Sequence, residues 1–373
     1  MQKIFAACLL TLTSILGLAA QQVTPKGVRI KVGQQVVATY AATEFDSIVV
    51  LSQLGVKVYV KNQNSTDYLD AVVEWIEGDS AITPPPVDPS NHNKNTQLND
   101  KRQWAWRIEY PRLNLGENNL LSVPMTEEFG ITYSLEYDKN LRAARWVAYQ
   151  FHGGIPKNGV GRKNKWIEDP NLPQEFCIAD RDYRGNRDSL DNTYSRGHLC
   201  MSNDRQASEE QNAQTFYTSN ALPQIQSHNA GIWLRMEEVV NKLGNDRNFC
   251  DTLYVVKAAT IDSLKAAPNG EGLAGIEGYT QSTRGGTQPI LIPKYFYMAL
   301  VAVKDGQYKG VGFWSKHLDP EIWRTKRDEL HNFLVTIDEL ERRTGIDFFC
   351  NLPDQIEDAV EKQCDPADWT LSR

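Results

Sequence analysis

Alternation of apolar and polar side chains is clearest near the amino-terminal end of the chain. Residues 28–32 alternate valine or isoleucine with arginine and lysine, and an apolar run at 36–40 follows a Gly-Gln-Gln segment. A period of two is typical of strands with one buried face, so this stretch predicts a β-hairpin. Strand-like runs at 49–51 and 56–60 continue the pattern. Together they predict a small β-rich module over residues 21–78.

The composition then changes to that of a linker. Three prolines stand at 84–86, a fourth follows at Pro89, and asparagine and serine dominate the next residues. Such a segment favours extended or irregular backbone over packed structure. Residues 79–104 are therefore predicted to be a linker.

The longer part of the chain mixes strand and helix patterns. Continuous apolar runs at 253–256 and 297–303 predict buried strands, and apolar residues recurring on one side predict a helix over 320–343. This mixture favours an α+β domain over residues 105–353, built on a mainly antiparallel sheet. Residues 354–373 form an acidic, helix-prone tail.

The first 20 residues have the pattern of a secretory signal peptide. Lys3 supplies a positive charge, residues 4–18 are mostly apolar, and Ala19 and Ala20 offer small residues for cleavage. The apolar run is shorter than the ~20 residues that a membrane span requires. The sequence therefore predicts an exported protein, periplasmic or secreted, without a membrane span.

Cysteine usage fits an exported protein. Beyond Cys8 the cysteines are Cys177, Cys200, Cys250, Cys350 and Cys364. Because their number is odd, disulfide bonds are expected to leave one free thiol, and the pairing stays open. No CxxC pair is present, which argues against a structural zinc site.

Composition limits the function classes. The chain has 373 residues, 41% of them hydrophobic, and a formal net charge of −7. These values suit a globular protein with a sizeable core. The negative balance excludes binding to nucleic acid through overall positive charge, so any such activity must come from a local site.

The strongest chemical signal is the run YSRGHLC at 194–200. It contains His198, and a histidine can act as a base near neutral pH because its unperturbed pKa is about 6.5. Asn220, Asn229 and Glu237 follow at short intervals. If a helix starts near Gly231, Asn229 lies at its amino-terminal end and Glu237 lies about two turns later, on the same side. Hard oxygen ligands of this kind suit Mg²⁺, with Mn²⁺ as an alternative.

Several short motifs together resemble the DNA/RNA non-specific endonucleases, a family that includes mitochondrial endonuclease G. The motifs are RGH at 196–198, SNxxPQ at 219–224, NxGxWxxxE at 229–237, WVAY at 146–149, WxxDP at 166–170 and GIDFF at 345–349. The resemblance covers roughly residues 107–353. It implies a ββα-metal core inside a larger α+β domain.

The resemblance also implies roles for individual residues. His198 would be the general base, Asn229 the direct metal ligand, and Glu237 the residue that orients water at the metal. Asn220 would support the site, and Arg196 would contact the substrate.

A further basic residue before the WxxDP motif would stabilise the transition state. Arg162 is our first choice, and Lys163 and Lys165 are the alternatives. His228, next to the metal ligand, is interpreted as a surface or substrate-adjacent residue.

The function implied is hydrolysis of phosphodiester bonds in DNA and RNA with one metal ion, leaving 5′-phosphates. One position departs from the family pattern, since Ser195 stands where an aspartate is usual. A catalytically degenerate, nuclease-like binding protein is therefore the alternative. A third hypothesis is a hydrolase that acts on other phosphate esters. The partner of the amino-terminal module stays undetermined.

Overall fold

The computed structural model describes residues 2–5, 27–32, 35–41, 45–50, 55–60, 66–69, 71–76, 91–96, 105–262 and 275–371. The chain divides into two compact units. The first comprises Met1–Pro89 and Glu127–Ile131, and the second comprises Ser90–Thr126 and Thr132–Arg373.

The amino-terminal part of the first unit consists of strands. These are β1 (Gln2–Phe5), β2 (Gly27–Val32), β3 (Gln35–Ala41), β4 (Phe45–Val50), β5 (Gly55–Val60), β6 (Thr66–Leu69) and β7 (Ala71–Ile76). They form one sheet in the order β1-β4-β5-β6 and another in the order β3-β2-β7. The predicted hairpin is confirmed, because β2 and β3 pair antiparallel and Val28 and Ile30 are buried.

The later strands are β8 (Asn119–Ser122), β9 (Met125–Thr126), β10 (Gly130–Ile131), β11 (Ser134–Asp138), β12 (Ala143–His152), β13 (Asn186–Arg187), β14 (Tyr194–His198), β15 (Ala221–Ile225), β16 (Thr252–Ala259), β17 (Ile276–Ser282), β18 (Ile290–Pro293), β19 (Tyr295–Lys304), β20 (Gln307–Lys316) and β21 (Leu334–Val335). The α-helices are α1 (Asp180–Tyr183), α2 (Glu209–Gln214), α3 (Gln226–His228), α4 (Leu234–Gly244), α5 (Ile337–Thr344) and α6 (Asp354–Val360).

A seven-stranded antiparallel sheet organises the second unit, in the order β21-β20-β19-β16-β12-β11-β8. The two predicted buried strands are β16 and β19, which pair with each other near the centre of the sheet. One face of the sheet packs against α4, through Met236 and Val239. The other face packs against α5 and the end of α6, through Leu340 and Val360. The predicted α+β architecture with an antiparallel sheet is confirmed.

The predicted helix over 320–343 is wrong. Arg327–Phe333 form a 3₁₀ helix, and Leu334–Val335 pair with β20 as the edge strand β21. The hydroxyl of Thr336 accepts a hydrogen bond from the backbone N–H of Glu339, so α5 begins with a new cap. The apolar residues Leu330, Leu334 and Ile337, which stand at helical spacing, thus lie in three different short elements.

Every predicted segment has residues outside the described ranges. Of the predicted signal peptide, residues 2–5 are described and form β1, which pairs with β4. Of the predicted linker, residues 91–96 are described, and they belong to the second unit. The predicted acidic tail contains α6.

Disulfide bonds are not found among the described cysteines. Cys177, Cys200, Cys250 and Cys350 are buried free thiols, and Cys364 is a half-buried one. The expectation of disulfides therefore fails for these five positions. Within the described ranges, no helix has both the length and the apolar character that crossing a membrane requires.

Candidate active site

His198 lies at the end of β14, which pairs antiparallel with β15 so that His198 faces Ala221. The side chain of Gln224 on β15 lies directly over Gly197, because a Cβ there would overlap Oε1 of Gln224 and lie 2.7 Å from its Cβ. Only glycine accommodates this approach. After β15 the chain enters α3 and then α4, so β14, β15 and the helical segment form the predicted ββα arrangement.

Asn220 fixes the backbone beside the histidine. Its Oδ1 accepts a hydrogen bond of 2.8 Å from the N–H of Cys200, and its Nδ2 donates to the carbonyl oxygens of Cys200 (2.9 Å) and Thr215 (2.8 Å). The side chain is fully buried. Because its hydrogen-bonding atoms bind backbone, Asn220 positions His198 and does not face a substrate.

The imidazole of His198 is buried between aromatic rings. Its centroid lies 4.7 Å from that of Trp166 and 5.0 Å from that of Phe216. The side chain is 8% exposed, and its Nε2 has no hydrogen-bond partner among the described residues. A buried ring nitrogen without a partner is rare in folded proteins, so it marks His198 as a candidate functional residue.

Burial and nearby positive charge keep this imidazole neutral. Desolvation, followed by the charges of Arg162, Lys257 and Arg196, lowers the pKa of His198 to about 3. A neutral imidazole has one nitrogen that can accept a proton. The geometry therefore provides a base surrounded by cations, which suits an anionic substrate.

Arg196 lies two residues before His198 on β14, so both side chains point to the same side of the strand. Its guanidinium lies over the ring of Trp166, 5.3 Å from the centroid, and its Nη2 lies 2.5 Å from Oδ1 of Asp180. Its Nε is buried without a hydrogen-bond partner in the described structure. Arg196 thus keeps donor capacity beside the histidine.

Among Arg162, Lys163 and Lys165, the contacts favour Arg162 as the basic residue beside His198. Its guanidinium lies 4.9 Å from the ring centroid of Phe216, and its charge acts on both His198 and Glu237. Lys163 instead forms an ion pair of 2.7 Å with Glu209. Lys165 is exposed, and no site residue is among its described contacts.

Glu237 lies on α4 and forms a buried ion pair that the sequence interpretation missed. Nζ of Lys257, on β16, lies 3.1 Å from Oε1 of Glu237 and 3.5 Å from Oδ2 of Asp204. Burial nevertheless raises the pKa of Glu237 to about 7. Asp204 is held in turn by the hydroxyl of Tyr149 (2.6 Å) and the amide of Asn241 (2.8 Å). The sequence contained one sign of this ion pair, because Lys257 interrupts the apolar run of β16.

Asn229 lies in a helical turn that connects α3 to α4. The predicted helix start near Gly231 is wrong, because the helical segment begins at Gln226 and Gly231 forms a kink within it, with φ −102° and ψ −116°. A Cβ on Gly231 would overlap the carbonyl oxygen of Trp323, so the close approach requires glycine. Four residues after Asn229, the indole of Trp233 donates to the carbonyl oxygen of His198 at 3.3 Å. This bond ties the segment that carries Asn229 to the strand that carries the base.

The side chain of Asn229 suits a divalent cation. It is half-buried, and its amide is not hydrogen-bonded to any described residue. A free amide oxygen together with water is an adequate shell for Mg²⁺, which keeps several water molecules when bound to protein. No described contact joins the Asn229 side chain directly to His198, so the link between them is the Trp233 bond.

Successive residues of a strand face alternate sides, so Ser195, three residues before His198, points to the opposite side of β14. Its hydroxyl donates to Oε1 of Gln226, one helical turn before Asn229. An aspartate at this position would therefore face the segment that carries Asn229, and not His198.

His228 is not a surface residue. It is fully buried, its Nδ1 lies 2.7 Å from Nε2 of Gln224, and its Nε2 lies 3.1 Å from the hydroxyl of Ser315. Burial lowers its pKa well below the usual value. His228 therefore holds α3 against β15 and β20.

Comparison with known proteins gives one matching family and several relatives. The sequence profile of a family described as DNA/RNA non-specific endonuclease matches residues 119–355. A mitochondrial nuclease EXOG of Danio rerio is 28% identical over 232 residues, which cover 61% of this chain and 62% of that protein. A nuclease of Nostoc sp. is 27% identical over 246 residues, which cover 62% of this chain and 76% of that protein.

The human mitochondrial nuclease EXOG is 27% identical over 221 residues, covering 59% of this chain and 56% of that protein. The chain thus spans less than two thirds of the length of these EXOG relatives. A crystal structure of an EndoG/EndoGI complex is similar with a TM-score of 0.49 and 19% identity, over 69% of this chain and 94% of that chain.

Proposed function

Because the chain belongs to the DNA/RNA non-specific endonuclease family, we propose that it is a metal-dependent endonuclease that cleaves both DNA and RNA. The observation that carries the proposal is the environment of His198. A neutral, buried imidazole with an unpaired Nε2 lies among Arg162, Arg196 and Lys257. This combination provides a proton acceptor and positive charge for a phosphodiester anion.

His198 takes the proton from the attacking water in this mechanism. Its low pKa in the free protein has cations as one cause. A phosphodiester held by Arg162 and Arg196 offsets these charges and returns the pKa of His198 toward its ordinary value. The imidazole is thus a stronger base when substrate is bound than when it is absent.

The other residues bind and orient. Arg196 and Arg162 contact phosphate oxygens, and Glu237 accepts a hydrogen bond from the water that His198 deprotonates. Mg²⁺ held by Asn229, with Mn²⁺ as the alternative, would supply Lewis-acid stabilisation of negative charge on the phosphate and the leaving 3′ oxygen. Departure of the 3′ oxygen leaves products with 5′-phosphates. Contacts made to phosphate, and not to bases or sugars, account for cleavage of both DNA and RNA.

The decisive experiment compares His198→Ala with His331→Ala on plasmid DNA and on RNA. His331 is half-buried, its ring bonds to the carbonyl oxygen of Asp328, and no site residue is among its described contacts. We expect His198→Ala to lose cleavage by a factor of about 10² to 10⁴ and His331→Ala to keep it. Equal cleavage by both variants would overturn the assignment.

A second experiment addresses the metal and the products. EDTA should abolish cleavage, and Asn229→Ala should require a much higher Mg²⁺ or Mn²⁺ concentration than the unaltered protein. End-labelling of the products should detect 5′-phosphates. Cleavage that persists in EDTA would contradict the metal-dependent mechanism.

Ser195 supports the competing proposal of a degenerate binding protein. Compared with an aspartate, Ser195 lacks a negative charge facing the segment of Asn229. His198, Arg162 and Arg196 are all present. We therefore propose an active enzyme with weakened cation binding. Ser195→Asp should lower the Mg²⁺ concentration needed for half-maximal cleavage. A change from no cleavage at any Mg²⁺ concentration to clear cleavage would instead favour the degenerate protein.

Export to the periplasm or the medium is proposed on the pattern of the first 20 residues. Amino-terminal sequencing of protein recovered outside the cytoplasm should start near Gln21. Recovery of chains that retain Met1 would contradict this.

A further inference from the structure

A strongly basic stretch of chain runs beside the active site. Residues 153–167 contain no acidic residue, although the whole chain has a formal net charge of −7. The cations of this stretch are Lys157, Arg162, Lys163 and Lys165. Arg162 already belongs to the proposed active site, because its charge acts on His198. The proposed mechanism gives no task to the lysines before and after it. We call residues 157–165 the basic segment.

The basic segment is fixed along the chain that leads into α2. The N–H of Val160 donates to the carbonyl oxygen of Gln206 at 3.4 Å, and the N–H of Lys163 donates to Oδ1 of Asn212 at 3.0 Å. Asn212 is fully buried, and its own amide donates to backbone carbonyl oxygens. These bonds hold the backbone of the basic segment, so its cations have defined places beside the site.

Lys157 lies at the end of the basic segment that contacts α4. Its Nζ donates to Oδ1 of Asn241 at 3.0 Å, one helical turn after Glu237. Asn241 is a neutral partner, and no carboxylate is among the described contacts of Lys157. Because Lys157 is exposed, its charge and its remaining donors are accessible to an anion from solution.

Lys165 lies at the other end of the basic segment, directly before Trp166, whose ring centroid is 4.7 Å from that of His198. It is exposed, and no carboxylate is among its described contacts. Lys163 differs, because its Nζ lies 2.7 Å from Oε1 of Glu209, which offsets its charge. Two exposed lysines without a described carboxylate partner therefore flank the arginine of the active site.

We propose that Lys157 and Lys165 bind the phosphate backbone of the substrate strand on either side of the phosphodiester held by Arg162, a role that rests on the proposed nuclease function. The five residues from Lys157 to Arg162 span at most about 18 Å, and the three from Arg162 to Lys165 span at most about 11 Å. One DNA strand carries a phosphate for about every 3.4 Å of helix axis. Both lysines can thus reach phosphates a few nucleotides from the scissile one.

This surface acts on strand length and not on sequence. Contacts to phosphate carry no sequence information, so the two lysines strengthen binding to DNA and RNA alike. Their contribution is electrostatic and falls as salt is added, because binding releases the counterions of the strand. A local surface of this kind explains how a chain of negative net charge can hold a polyanion.

The test measures binding without cleavage, in purified full-length protein that carries His198→Ala and is kept in EDTA. The affinity for a labelled single-stranded oligonucleotide, first DNA and then RNA, is measured by fluorescence anisotropy over a range of salt concentrations. Each phosphate contact to a single strand contributes about 0.7 to the slope of log affinity against log salt concentration. We expect Lys157→Ala and Lys165→Ala each to reduce that slope by about 0.7, and the double variant to reduce it by about 1.4.

A matched control is Lys362→Ala. Lys362 is exposed and lies just after α6, whose Val360 packs on the sheet face opposite to α4. It should keep the slope of the parent protein. The proposal is overturned if Lys157→Ala or Lys165→Ala binds with the same slope as this control. Failure of the nuclease function is a separate result, in which protein with His198 intact binds strands through the two lysines but cleaves neither DNA nor RNA.

Discussion

At the residue scale, the buried lysine under the active site controls the state of Glu237. Lys257 is fully buried on β16, and its charge lowers the pKa of Glu237, which desolvation alone would raise further. Replacing it with methionine leaves Glu237 and Asp204 without their cation. Breaking a buried pair in this way costs about 3–5 kcal/mol of unfolding free energy.

We therefore predict two effects of Lys257→Met. The protein should be destabilised by about that amount, and the acidic limb of its cleavage profile should move to higher pH because Glu237 binds a proton more tightly. Lys304→Met is the control, since Lys304 forms an exposed ion pair with Asp251, and exposed pairs contribute little to stability. Urea unfolding and rates between pH 5 and 9 provide the comparison. An unshifted acidic limb would show that Lys257 does not act through Glu237.

The low pKa of His198 predicts a pH dependence of stability. The unfolded chain binds a proton at this histidine below about pH 6.5, whereas the folded protein does not until about pH 3. Its contribution is therefore complete above pH 6.5 and is lost progressively as the pH falls toward 3. The contribution of Glu237 to stability depends on pH in the opposite sense, because burial raises its pKa in the folded protein to about 7. That contribution is complete below about pH 4.5 and is lost as the pH rises toward 7.

Substitution separates these two contributions. His198→Gln should lose less unfolding free energy than the unaltered protein when the pH is lowered from 7 to 5, while His331→Gln serves as the reference for a histidine outside the site. Urea unfolding at both pH values measures the difference. Parallel losses in all three proteins would contradict a buried, neutral His198.

Arg196 and His198 could be grouped from the sequence because both belong to one short motif, and the resemblance to the endonuclease family supplied their proposed roles. The structure places both on one strand, where residues two apart face the same side. Lys257 reaches Glu237 and Asp204 from 20 and 53 residues away. Such a network depends on how strands and helices pack, which no local pattern encodes. The orientation of Ser195 toward Gln226 likewise required the register of β14 and β15.

At the element scale, the pairing of β14 with β15 depends on Gly197. Gln224 cannot easily move to admit a side chain there, because it is fully buried and its Nε2 bonds to His228. Gly197→Ala should therefore displace the end of β14, which carries His198.

We expect Gly197→Ala to lower the cleavage rate about 10²-fold, since a shift of about 1 Å in a catalytic group has this effect. Gly153→Ala is the matched control, because nothing lies within 4 Å of a Cβ at that position. Single-turnover rates and melting temperatures of both variants test the prediction. A folded Gly197→Ala protein with full activity would show that the strand tolerates the side chain.

Elements with a clear period were predictable, and elements fixed by caps were not. The runs that became β16 and β19 are apolar on both sides, as expected of central strands covered on two faces. The failed helix over 320–343 shows the limit of this approach. Its apolar spacing was helical, but the Thr336 cap and the pairing of β21 with β20 divided it.

At the scale of the whole molecule, the second unit contains every residue of the proposed active site. It also includes the described part of the predicted linker, residues 91–96, which asparagine side chains bind to the rest of the unit. Asn91 donates to the carbonyl oxygens of Cys350 (3.1 Å) and Leu352 (2.6 Å). Asn95 receives a further bond from the N–H of Leu113 (2.9 Å) and donates to Pro111 (3.0 Å). This segment acts as part of the nuclease domain.

Two fragments test that boundary. A fragment of residues 90–373 should fold and cleave nucleic acid, because it retains the whole second unit and also contains the short segment 127–131 of the first unit. A fragment of residues 105–373 should lose at least about 3 kcal/mol of unfolding free energy, since several buried groups lose hydrogen-bond partners. Its melting temperature should fall by roughly 6–12 °C. If both fragments melt together, residues 91–96 do not stabilise the domain. If the longer fragment does not fold, the nuclease domain requires the strands that precede it, and the boundary at Ser90 is not a folding boundary.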